Sequence, residues 1–259
     1  GPLTMKNCIV TDNRIEYGNG GGICAESPLT MESCTVNGNT AADDDSVGGG
    51  AIYAAGRLAM RGCTISGNYA KKDGGGIYAV GELSLTDCTV TANESQNNGY
   101  GSSSGTGSGG GIYIKGRGVM TGGSVTGNKA NSNGKGGGIY AGENCAVTLQ
   151  NNVRVIGNKA GTDGRGGGIY AEKATVNMTN CTFESNTAKN GGGVYASSAT
   201  VTMTNCTLSG NKADNNTDDG TSGGIYTYRG RLTMTGCTLA GNTARLNGGG
   251  VRAESTSVT

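Results

Sequence analysis

Nine cysteines, no histidine and 19 carboxylate side chains bound the chemistry open to this chain of 259 residues. Without histidine there is no Ser-His-Asp or Cys-His nucleophile system and no imidazole metal ligand. No CxxC spacing occurs, so a tetrahedral zinc site is not expected. Paired carboxylates remain the main hydrolytic arrangement that the composition allows. The acids are densest at Asp43, Asp44 and Asp45 and again at Asp214, Asp218 and Asp219, with Glu32 and Glu184 isolated elsewhere. Either loop has the oxygen ligands of a weak calcium site, and solvation of a surface corner accounts for both more simply. No catalytic residue, metal or cofactor is assigned.

Contact chemistry has more support. Tyr53, Tyr78, Tyr113, Tyr140, Tyr170, Tyr195 and Tyr226 each follow the Ile or Val of a glycine-rich motif such as "GGGIYA". Cys24 and Arg252 take the same place in the first and last copies, and a position that accepts Arg is expected to face solvent. Phenol rings in such a column offer an apolar face and a polar edge to a sugar ring or a partner's side chains. These seven, with Tyr100 in the longest insertion, are the candidate ligand-binding residues. The competing reading is that the rings stack on one another and shield the backbone beneath. Thr35, Thr64, Thr89, Thr182, Thr207 and Thr238 form a second outward column that resembles an ice-binding grid. Lys6, Glu32 and Arg61 interrupt that grid, and ordinary β-propensity explains it.

The elements that position these residues come from a repeat. An Asn closes each unit, at Asn13, Asn39, Asn68, Asn93, Asn128, Asn158, Asn186, Asn211 and Asn242, with steps of 25 to 35 residues. Periods in this range mark solenoids, whose units bury their faces on their neighbours. Each unit holds three short runs of alternating apolar residues, as in "RLTMTGCTLAGN" followed by "GGGVRA", and this periodicity means strands. The expected fold is therefore all-β, a right-handed parallel β-helix of about nine coils with three short strands per coil. Insertions collect between the Asn and the next glycine motif, which places them at one corner.

Alternation also sorts inside from outside. Leu29 and Met31, Cys63 and Ile65, and Ile77 and Ala79 represent the inward pairs of the three strands. Ile114 and Thr227 are exceptions at the Ala place. The middle glycine of each motif, Gly75 for example, is expected to have positive φ or to lie against the next coil. The Asn series is expected to turn its amides into the corner as a hydrogen-bonded ladder. Cys8, Cys34, Cys63, Cys88, Cys181, Cys206 and Cys237 share one inward place, as free buried thiols behaving as small hydrophobes. Cys24 and Cys145 are expected to react first with a thiol reagent.

The "GGGIY" motif, the one literal "GGAI" at Ala51 and "FESN" at Phe183 to Asn186 resemble the GGA[ILV] and FxxN repeats of the chlamydial polymorphic outer membrane proteins and related bacterial β-helix surface proteins. The likeness spans nearly the whole chain. It implies export to a bacterial surface and adhesion.

Charge excludes other classes. With a net charge of +1 and scattered Lys and Arg, no face suits nucleic acid. No apolar run approaches the roughly 20 residues of a membrane span. Gly1 and Pro2 read as a scar of tag cleavage, and residues 3–259 as one β-helix domain cut from a longer array, since "STSVT" resembles the start of another first strand. The expectation is a monomeric, extracellular or cell-surface bacterial module, an adhesin or its stalk, binding a host glycan or surface protein. The alternative is a fragment of a polysaccharide-active lyase or hydrolase.

Overall fold

The computed structural model describes residues 1–42, 47–96, 107–131, 133–214 and 220–259. Every regular element among them is a strand, and every strand pairing is parallel. One coil shows the plan. Leu29–Glu32 lies in a first sheet, Thr35–Asn37 in a second, and Ile52–Ala54 in a third, after which Leu58–Arg61 re-enters the first sheet one rung on. The three sheets contain ten, nine and nine strands, in agreement with the expected coils. A two-residue strand, Thr40–Ala41 in this coil, adds a short fourth contact between the second and third sheets.

Register places like on like. Leu29 pairs with Leu58 and Met31 with Met60, while Val36 pairs with Ile65 and Ile52 with Ile77. These columns form one continuous core in which Leu58, Ile65, Ile77 and Phe183 are fully buried. Each such side chain contributes about 1.5–3 kcal/mol of burial. The exception at the Ala place is compensated next door: a Cβ on Gly118 would stand 2.8 Å from Ile114 Cδ1. Bulk at Ile114 thus fills the space that Leu or Val occupies in other coils.

Corners turn on one or two left-handed residues. Asn7, Ser33, Asp87, Asn180 and Asn205 join first-sheet to second-sheet strands with φ of 50–54°. Asn, Asp, Ser and Gly recur there because the left-handed region strains other side chains least in these types. The next corner holds the Asn ladder. Asn128 donates from its backbone N–H and from Nδ2 to Asn158 Oδ1, at 2.9 and 3.0 Å, and from Nδ2 to the Val90 carbonyl at 2.9 Å. Its own Oδ1 accepts the same two bonds from Asn93. The pattern links all nine residues, so these amides are committed to one another.

The glycine motif divides its requirements. The first place carries the positive φ, +64° at Gly74, and Ser222 tolerates it at 57°. The middle place is set by contact, since a Cβ on Gly75 would lie 2.3 Å from the Gly110 carbonyl oxygen and 2.4 Å from the Glu94 carbonyl carbon.

Candidate functional site

The tyrosines form a stack along the outside of the third sheet. Register aligns Tyr53, Tyr78, Tyr113 and Tyr140, and then Tyr170, Tyr195 and Tyr226. Ring centroids are 4.5–5.7 Å apart, with interplanar angles of 7–20° until the last pair tilts to 59°. This is offset stacking within the favoured range. The column faces away from the core, as the alternation requires, but the expected solvent exposure is corrected. Tyr78 and Tyr170 are 2% and 1% exposed, Tyr140, Tyr195 and Tyr226 are buried, and Tyr53 and Tyr113 are half-buried.

The reason is that neighbours on both sides occupy the ring faces, and cations cover what remains. Lys135 Nζ sits 4.9 Å from the Tyr170 centroid, and Arg165 and Arg252 lie 5.3 and 5.0 Å from those of Tyr195 and Tyr226. Phenol edges are engaged as well: Tyr140 donates to Glu172, and Tyr226 donates to Glu254 at 2.8 Å. What this arrangement can do is hold the third sheet's outer surface dry and in register. Tyr100 lies outside the described residues.

Burial pushes the phenols of Tyr78, Tyr113, Tyr140 and Tyr170 well above the ordinary tyrosine range, and that of Tyr226 to about 12. Raised folded-state values mean that the neutral rings stabilise the rod fully below the unfolded value of about 10. That contribution is lost as pH rises through the folded values. In an alkaline titration, the 295 nm phenolate signal of these residues is expected to appear together with loss of the β-sheet circular dichroism. Gradual ionisation of the whole set with the sheet intact would contradict their burial.

The acidic groups do not converge among the described residues. Asp43, Asp44, Asp45, Asp218 and Asp219 fall outside them. Asp214 is paired with Lys212, Glu32 with Lys6 at 2.8 Å, and Glu184 stands alone on the second sheet. No group of three or more His, Cys, Asp or Glu among the described residues is arranged around a metal position. The outer face of the first sheet does carry a shallow groove of about 260 Å³, with Thr30, Ala59 and Ser84 along its floor and Glu32, Arg61 and Thr86 beside them. Small side chains in the floor column create it.

All nine cysteines are free. Cys24 is exposed, as expected, but Cys145 is 3% exposed, which corrects the expectation that it reacts early. The segment around it is irregular yet packs into the core, and burial pushes its thiol up to about 11. Partial desolvation, with Glu26 nearby, also holds the Cys24 thiol above its usual range. A native-state thiol assay is expected to show one fast-reacting group per chain, which Cys24→Ser removes. A fast phase that persists in that variant would place reactivity in the column or at Cys145.

The family described as right handed beta helix region matches residues 3–109 and 101–239. No curated protein and no solved structure gives a significant match. With parallel strands throughout, like-on-like columns and this match over most of its length, the chain belongs to the right-handed β-helix family.

Proposed function

We propose that this chain is a non-catalytic module of a bacterial surface or secreted protein, an adhesin or the stalk that displays one. It contacts a host glycan or protein through one corner of the rod. The observation that carries this reading is where chain length varies. The segments 43–46, 97–106 and 215–219 all lie between a two-residue strand and the following glycine motif, while the links at the other corners hold only two to four residues. A rigid rod with variable segments along one edge suits presentation. The likeness to the chlamydial surface repeats points the same way. The tyrosine column supports the rod rather than the ligand, because its ring faces are used in stacking.

The test is saturable, non-hydrolytic binding on a glycan array or to host cells, repeated after residues 97–106 are replaced by a two-residue link. Loss of binding by a variant with native circular dichroism supports the corner. Undiminished binding refutes it. The polysaccharide-active alternative rests on the first-sheet groove, where Glu32 and Arg61 flank a row of hydroxyls. Turnover of a uronic-acid polymer, abolished by Glu32→Gln, would favour that reading over adhesion.

A further inference from the structure

The cysteine column has a use that packing does not exhaust. Cys8, Cys34, Cys63 and Cys88 occupy four successive rungs, and Cys181, Cys206 and Cys237 another three, with Gly123 and Val153 between the two runs. Their sulfurs are free and share one inward line. The line is held in register: the Cys8 and Cys34 backbone N–H groups donate to Sγ of Cys34 and Cys63, each at 3.4 Å. The thiols of Cys63, Cys88 and Cys181 each donate to the carbonyl two residues back at 3.3 Å.

Parallel rungs repeat every ~4.8 Å, so the midpoint between successive sulfurs lies about 2.4 Å from each. A zinc–thiolate bond is about 2.3 Å. That spacing is too long for a relaxed disulfide, whose Cβ atoms sit about 3.8 Å apart, but it suits a metal held linearly by two sulfurs. With only two ligands per gap and no imidazole, the line does not make a tetrahedral zinc site. Thiolate softness selects Cu(I) and its heavier congener Ag(I).

We infer that the thiol column is a binding site for a file of soft monovalent cations of the Cu(I) class, one in each gap between adjacent sulfurs. Four sulfurs enclose three gaps and three enclose two, so the chain takes five ions. Each ion replaces one proton, RSH + M⁺ giving RS–M + H⁺, and the next sulfur completes its coordination. One sulfur in each run keeps its proton. No electron moves, and the buried line stays neutral, which avoids stranding charge in an apolar core. Proton release makes uptake stronger as pH rises.

The test uses the reduced Cys24→Ser protein, so that the exposed thiol does not contribute. It is refolded anaerobically with Cu(I) supplied as its acetonitrile complex and then challenged with a bidentate Cu(I) chelator. Native mass spectrometry is expected to count five retained ions, with a thiolate-to-metal charge-transfer band and unchanged β-sheet circular dichroism. Adding Cys206→Val empties the shorter run and leaves three ions. Adding Cys63→Val leaves one gap in the longer run and also gives three. Adding Cys145→Val leaves all five. Valine already occupies this column at Val153, so the column variants keep the fold. Retention of fewer than two ions by the parent, an unchanged count in Cys206→Val, or loss of the sheet signal on uptake would each overturn the inference.

Discussion

Asn128→Ala is expected to lower the unfolding free energy by about 4 kcal/mol, read as a large drop in the denaturant midpoint with little change in slope. Asn128 is completely buried and makes five ladder contacts. Truncation removes the acceptor of the Asn93 backbone N–H and of one Asn93 Nδ2 proton, whose amide keeps its bond to the Ile65 carbonyl, and takes a donor from the Val90 carbonyl. A buried polar group stripped of its partner costs about 1–3 kcal/mol, so three such losses exceed the usual effect of a point substitution. Asn128→Asp tests the same site differently. It keeps the acceptor but removes the Nδ2 donor and puts a carboxylate in the corner, so its damage is expected to be greater at neutral pH than under mildly acidic conditions, where protonation restores one donor. A loss below about 1 kcal/mol for Asn128→Ala would mean that the ladder is ornamental to stability.

The second large effect is a contrast between adjacent glycines. Gly75→Ala is expected to destabilise by about 3 kcal/mol or more, whereas Gly76→Ala costs under about 1 kcal/mol. At Gly75 a methyl group meets the backbone of the next coil at two points, the Gly110 carbonyl and the Glu94 carbonyl, neither of which can move without breaking a ladder. At Gly76 the closest approaches are 2.7 Å to the Gly111 oxygen and 3.1 Å to the Asn93 side chain. Ala51 already occupies the same place one coil earlier with its backbone bonds intact. Equal losses at the two positions would show that conformational freedom, rather than coil spacing, governs the motif.

The sequence made the coils, the inward columns and the Asn ladder readable because each is a local rule repeated nine times. Alternation decides which way a strand residue points, and repetition cancels the noise of any one unit. What it left hidden depends on the distance between coils or on what lies over a side chain. Tyr170 points outward by alternation and is nevertheless buried, because its covering comes from Tyr140, Tyr195 and Lys135 in other coils. Cys145 sits in an irregular stretch, where alternation gives no direction, and packs inward. The left-handed corner residues Asn7, Ser33 and Asp87 look like unrelated polar residues until their shared φ is seen. The groove beside Ala59 and Ser84 is visible only once strand register places two small residues side by side. The corner insertions stood out by length alone, and Tyr100, the candidate within them, lies outside the described residues.

Like-on-like stacking also has a genetic consequence. Every coil presents similar columns above and below, so copying or deleting one whole unit stacks apolar side chains on apolar side chains of the same columns, as Met178 lies on Met203 and Val155 on Phe183. Unequal recombination between units can therefore lengthen or shorten the molecule by single rungs, about 4.8 Å at a time, without inventing a new interface. Reach becomes a quantity that selection can adjust by counting.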